Sequence, residues 1–346
     1  MIRHPLLLSV LIMDSLCVLL ALGTAFAAFR IVLDWTPGSP TREQIKREIE
    51  FESASIKAGF SIAAFGISSF ILIIGLTNIL PAIVPGAMCG TGVLQATETV
   101  GVRALIFRFL AIGAMFYTVL LARLNRRRPD APLTPVTVRV WLLLMPILFL
   151  AVTDTCRAFS GLATHQPVDC CAAVYDQIRT VRAAGSPAGP FDSYRVWGFA
   201  AASVMVSVCG LMVWLSKSAP RRWLVVSFSI FSLAWVPIAF TSLVGRLAAY
   251  HYEVLHHHCP WCLFLPEHRL VGYPLFAALL TTAIESLAPA VCAKTSQHFP
   301  TLEPYAVRRA RLAGLRVTMA VLLFGAVAGL PPIIWRLRFG VWMGQQ

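Results

Sequence analysis

Polar and apolar residues fall along this chain in long blocks rather than in the short periods of a soluble fold. Eight apolar blocks lie near 5–33, 58–83, 104–122, 138–160, 195–216, 223–247, 270–292 and 315–335. Each reaches or approaches the roughly 20 residues needed to cross the hydrocarbon layer of a membrane. None shows the two-residue alternation of a barrel strand, so helices are left to satisfy the backbone in lipid. The pattern predicts an all-α, polytopic transmembrane helix bundle of about eight spans. The first block, opened by Met1-Ile2-Arg3-His4 and holding Ala25-Phe26-Ala27, also has the make-up of a secretory signal. The expected topology keeps it as a span.

Charge sharpens this picture. Of 346 residues 58% are hydrophobic and 13% charged, against about a quarter charged in a soluble domain. Basic residues concentrate at 42–57, 123–139, 217–222 and 294–316, with Arg126-Arg127-Arg128 the strongest cluster. Basic loops stay on the cytoplasmic side, which puts both termini outside. The formal charge of +13 is then a basic inner face meeting anionic lipid, with the bilayer as partner and no nucleic acid. The segment 41–57, rich in Glu and Lys or Arg, reads as an amphipathic inner-surface helix. Trp35, Trp141, Trp197, Trp223 and Trp335 read as interface anchors. The small residues of Gly325-Ala326-Val327-Ala328-Gly329 read as a close helix-contact face, within this protein or with another subunit.

The nine cysteines divide under this topology. Cys89, Cys156, Cys170, Cys171, Cys259 and Cys262 fall on or next to outer loops, Cys17 and Cys209 inside helices, and Cys292 at the inner end of the seventh. An even outer set fits an oxidising compartment. Adjacent Cys170 and Cys171 are poorly placed to bond each other, because neighbouring Cα atoms sit about 3.8 Å apart and a disulfide wants about 4.4–6.8 Å. The run His256-His257-His258-Cys259-Pro260-Trp261-Cys262 holds the densest chemistry. Two thiols at that spacing form a reactive disulfide pair or share a metal. With His256, His257 and His258 nearby, the metal would be zinc, copper or iron. Leu263 stands where a c-type haem signature needs histidine, and no histidine falls clearly inside an expected span to hold a b-type haem. Plain structural disulfides and a solvated histidine loop are the simpler readings.

Order along the chain adds a resemblance. A helix at 138–160 leads to an outer loop with Asp169-Cys170-Cys171-Ala172, two further helices follow, and Cys259-Pro260-Trp261-Cys262 precedes another. This arrangement resembles the catalytic core of the vitamin K epoxide reductase family. The likeness covers roughly 138–292 and would make that segment a redox four-helix core. The remainder would be 1–137, with three spans, and 293–346, an inner basic loop with the last span. The resemblance implies that Cys259 and Cys262 are the pair beside a bound quinone. It further implies that Cys170 or Cys171, with Cys156, pass electrons to a thioredoxin-like periplasmic redox protein. Phe264, Tyr273, Phe276 and Trp235 would wall the quinone. The adjacent loop cysteines and the triple histidine depart from the family pattern.

Charged groups near the spans complete the set. Asp154, Arg157, Arg108 and Arg246 should lie at similar depth near the outer face, where a polar cluster would bind a quinone head, tune a thiolate or form structural ion pairs. Asp14 and Glu285 are isolated intramembrane carboxylates, candidates for a proton path. These readings predict a quinone-linked thiol-disulfide oxidoreductase in a bacterium-like inner (plasma) membrane, its cysteine loops on the periplasmic face. The alternative is a noncatalytic membrane subunit of an electron-transfer or assembly complex, whose outer cysteines and histidines bind metal or form structural disulfides.

Overall fold

In the computed structural model of the chain, the described residues are 4–35, 39, 41–162, 167–168, 193–216, 218, 220–254, 257 and 259–343, with the side chains of 193–196 outside that set. Every regular element among them is helical. Eight helices are long and apolar enough to span a membrane, and the chain is an integral membrane protein. Contacts divide it into two compact units, Met1–Val168 and Asp169–Gln346. The expected 138–292 grouping therefore takes its first helix from one unit and its remaining helices from the other.

In the first unit, α1 (Pro5–Asp34) opens with Pro5 at the first helical position and His4 as cap, accepting from the Leu6 amide at 3.3 Å. Helix α2 (Arg42–Ile74) is capped by Thr41, which accepts from the Gln44 amide at 3.3 Å. The charged segment 41–57 and the second apolar block thus form one continuous helix rather than a surface helix followed by a span. Between them stands only the isolated Gly59, too weak a breaker to stop a helix once nucleated among Glu, Lys and Ala. Its 33 residues make about 50 Å of helix against about 30 Å of hydrocarbon, so the charged half projects beyond the apolar layer. The helix continues through a π turn (Gly75–Ile79) and a 3-10 turn (Leu80–Ala82) that contains Pro81. A short helix α3 (Gly90–Ala96), α4 (Glu98–Asn125) and α5 (Thr134–Ser160) complete the unit.

Helix α1 packs on α2 and α5, and α4 packs on α5. Their shared core holds Ala21, Phe65, Met115, Leu144 and Leu148. Trp141 belongs to this core and donates to the Ala21 carbonyl at 3.3 Å, so it is buried between helices and is not an interface anchor. Outward faces carry large apolar side chains such as Leu19, Phe29, Phe60 and Leu143, which lipid accepts and water would not.

The second unit contains α6 (Ser193–Leu215), α7 (Arg222–Ser242) running through a π turn (Leu243–Leu247) into α8 (Ala248–Tyr252), α9 (Gly272–Glu285), α10 (Ala288–His298) and α11 (Glu303–Phe339). Its centre is an aromatic knot of Trp235, Phe199 and Phe324, with ring centroids 5.2–6.3 Å apart. The basic segment expected as a loop is helical: Lys294 lies in α10, and Arg308, Arg309, Arg311 and Arg316 lie in the first half of α11. Arg309 and Arg316 pair with the buried Glu285 at 2.7 and 2.8 Å, so Glu285 anchors an ion-pair network rather than standing alone. Arg311 donates to the Trp214 carbonyl at the end of α6 at 2.8 Å.

A close helix contact in this unit occurs at Gly210 and Gly314, whereas of the 325–329 stretch Ala328 is buried and Gly325 and Gly329 stand open. A Cβ on Gly314 would stand 2.5 Å from the Gly210 carbonyl oxygen, whereas Gly325 and Gly329 have nothing within 4 Å of theirs. Gly314→Ala is expected to push α6 and α11 apart and destabilise the protein by about 1–3 kcal/mol. Thermal melting in detergent checks this, with Gly325→Ala, which meets no neighbour, leaving the melting temperature unchanged or slightly raised.

Candidate cysteine and aromatic site

The second unit gathers the Cys-x-x-Cys pair, two histidines and an aromatic wall around the junction of α8 and α9. Helix α8 ends at Tyr252, with Glu253 in the left-handed conformation as its cap. A 3-10 turn (Pro260–Phe264) then carries Cys262, with Cys259 as its leading residue and Pro260 at its first position. A second 3-10 turn (Pro266–His268) follows, and Arg269 and Leu270 are both left-handed before α9 begins. Three of the five non-glycine residues with positive φ among the described residues therefore frame this segment. Such conformations cost about 1–3 kcal/mol each and persist where the surroundings hold them. Pro266 keeps the pair off the head of the spanning helix.

Geometry within the turn is tight. The Cys259 and Cys262 Sγ atoms lie within 4.8 Å of each other. Cys259 is partly exposed, whereas Cys262 is buried at 8%. The Tyr252 hydroxyl donates to the Cys259 carbonyl and ties the turn back to α8. Tyr252 is flanked edge-on by His257 and His268, at 4.4 and 4.6 Å between centroids. His251, one residue earlier, lies within α8, so one histidine does fall within a membrane-length helix; its Nε2 is buried and makes no hydrogen bond among the described residues.

Of the four residues expected to wall a quinone, the structure brings three together. Phe264 packs on Tyr273 at 5.0 Å and on Phe276 at 4.9 Å, with Trp261 at 5.9 Å on the same ring. Gly272 permits this, because a Cβ there would stand 2.8 Å from the Phe264 ring. Trp235 is not among them: it is fully buried against Phe199 and Phe324 and donates to Ser203 Oγ at 2.8 Å. Helix α7 reaches the wall instead through Phe240, 6.2 Å from Phe276. Five residues separate Trp235 from Phe240, about 140° around a helix, so the two serve different faces. Arg246 is half-buried in the π turn after α7, an interruption often found at functional sites.

No family model, curated protein or solved structure matches this chain. Its chemistry is therefore read from its own residues.

The other expected site residues distribute as follows. Cys156 is exposed on α5 of the first unit, beside Leu7, Leu11 and Phe159. Cys170, Cys171, His256 and His258 lie outside the described residues. No disulfide is formed among the described cysteines. Of the expected polar cluster, Asp154, Arg157 and Arg108 lie in the first unit and Arg246 in the second. Asp154 takes a bidentate pair from Arg103 at 2.6 and 2.8 Å. Arg108 instead joins Asp14, Ser68, Ser69 and Thr155 in the interior of the first unit. Sequence reasoning missed Tyr252 and Phe240, although both lie in runs whose spacing from the thiol pair is visible. It also missed the partnership of Asp14 with Arg108, which no local spacing reveals.

Proposed function

We propose that this protein is a membrane thiol-disulfide oxidoreductase whose Cys259 and Cys262 exchange electrons with a quinone and with a soluble thioredoxin-like protein. The observation that carries the reading is the thiol pair itself. Two sulfurs within 4.8 Å stand on one turn, one partly exposed and one buried, and the same turn carries Trp261 and Phe264, whose ring packs on Tyr273 and Phe276.

Accessibility assigns the roles. Cys259 is the sulfur that a partner thiolate reaches, and Cys262 closes or opens the internal disulfide behind it. In one turn of exchange, two partner thiols become a disulfide and the Cys259–Cys262 disulfide becomes two thiols, so two electrons and two protons arrive at the pair. A bound quinone would take up those two electrons and two protons as the disulfide re-forms. The aromatic rings fit it: they offer flat apolar contact beside the pair, and Arg246 supplies a cationic donor on the same unit. Tyr252 positions the turn through the Cys259 carbonyl. The placement of this chemistry on the face opposite the basic loops, in an oxidising compartment, belongs to the same proposal.

Differential alkylation of the purified protein tests it. After incubation with excess quinone, Cys259 and Cys262 should both resist maleimide, and after a dithiol both should accept it. Metal analysis runs on the same sample. Stoichiometric zinc, copper or iron, lost on Cys259 and His257 substitution, together with no quinone-dependent oxidation, would replace this reading with a metal-binding membrane subunit.

A further inference from the structure

The first unit contains a cavity of about 300 Å³ that the thiol chemistry does not use. It lies between α2 and α4, with Thr24 and Ala28 of α1 and Trp141 of α5 behind it. Its volume falls at the lower edge of the roughly 300–1,000 Å³ range of ligand sites. The space exists because facing positions are small. Ala58 and Gly59 look toward Ala122, and a Cβ added to Gly59 would meet nothing within 4 Å. Helix α2 is held by α1 and α4 by α5, while α2 and α4 hardly meet. Within this unit, no helix closes that side of the cleft.

One end of the cavity is cationic. Arg123 and Arg126 line it at the last turn and cap of α4. Both are exposed, and neither has a carboxylate partner among the described residues. The remaining walls are mainly aliphatic and aromatic, with the Thr24 and Thr118 hydroxyls already donating to the Leu20 and Ala114 carbonyls. An apolar slot ending in two guanidinium groups is complementary to an amphiphile with an anionic head, since the planar guanidinium binds phosphate oxygens in pairs.

We infer that this cleft binds an anionic membrane phospholipid, one acyl chain lying between α2 and α4 and the head phosphate held by Arg123 and Arg126. The bilayer is the source. A lipid so held would brace two helices that their own side chains leave apart.

Native mass spectrometry of the delipidated full-length protein tests the assignment, titrating phosphatidylglycerol, phosphatidylcholine of the same chains, and inorganic phosphate. Wild type should bind phosphatidylglycerol at least about 10-fold more tightly than phosphatidylcholine, and inorganic phosphate should not compete at millimolar concentration. Arg123→Gln with Arg126→Gln should weaken phosphatidylglycerol about 30-fold, the worth of two basic residues at an anionic surface. Ala58→Trp, which fills the slot, should abolish binding of both lipids. Equal binding by wild type and the double glutamine variant would overturn the assignment as nonspecific annular lipid. Competition by inorganic phosphate would overturn it as a bare anion site. The exposed arginines can be changed without touching the core, so the test stands even where Ala58→Trp does not fold.

Discussion

Arg108→Met is expected to lower the stability of the first unit by about 3–5 kcal/mol, the usual cost of leaving one member of a buried ion pair alone. Asp14 and Arg108 are 1% and 2% exposed, inside helices that span the membrane. Arg108 pairs with the Asp14 carboxylate, donates to Ser69 Oγ at 3.0 Å and Ser68 Oγ at 3.3 Å through one nitrogen, and to Thr155 Oγ1 at 2.9 Å through another. Ser68 donates to the second Asp14 oxygen at 2.6 Å. One guanidinium thus joins α1, α2, α4 and α5, and the Phe65 ring covers it at 5.0 Å. Deleting the cation strands a carboxylate where neither water nor another cation reaches it. Removing both charges, as Asp14→Leu with Arg108→Met, should restore most of the loss, because an apolar pair is not penalised for burial. Thermal unfolding in detergent, followed by tryptophan fluorescence, compares wild type with both variants. Equal melting temperatures for the single and double variants would mean that the pair does not hold these helices together.

Cys259→Ser and Cys262→Ser are each expected to reduce dithiol-to-quinone turnover to background while leaving the melting temperature within a few degrees of wild type. The pair sits on a short turn, and although Cys262 is buried, serine nearly matches the volume of cysteine, so either exchange removes little packing. A purely structural disulfide would behave otherwise, since its loss typically costs about 2–5 kcal/mol. The two variants should also differ from each other. With Cys262 absent, Cys259 can still attack an oxidised thioredoxin-like probe, and the mixed disulfide persists because the buried sulfur that would release it is gone. With Cys259 absent, the remaining thiol is 8% exposed and should trap little. Non-reducing electrophoresis reads the adduct. An adduct formed equally by both variants would remove the assignment of Cys259 as the sulfur that exchanges with the partner.

The residues expected to serve the candidate site were legible to different degrees. Cys259 and Cys262 were found because three-residue spacing places two thiols together in almost any tight turn. Phe264, Tyr273 and Phe276 were named because they lie on the turn and the following helix next in sequence to the pair, and the structure packs their three rings together. Trp235 was misassigned because a helix has several faces, and the sequence does not say which one meets α6 and α11 and which meets α9. The charged residues behave the same way. Asp154 was expected near Arg108, yet an arginine five residues earlier, Arg103, takes it, and Arg108 turns to a carboxylate 94 positions away. The close approach at Gly210 and Gly314 was not visible in the sequence, because only the crossing of two helices defines that pair.

The chain by itself determined that it is helical and spans a membrane, because the absence of water in lipid leaves the backbone few solutions and the apolar blocks have the length that one of them needs. It also determined where two thiols stand together, since a Cys-x-x-Cys turn is a local object. Tertiary structure alone decided which buried charges neutralise one another, which aromatic rings pack together beyond the thiol turn, and where small residues leave a cavity rather than a contact. Those outcomes depend on the rotation and register of helices far apart in sequence, and long apolar faces, nearly equal in hydrophobicity all round, do not encode that rotation in any local pattern.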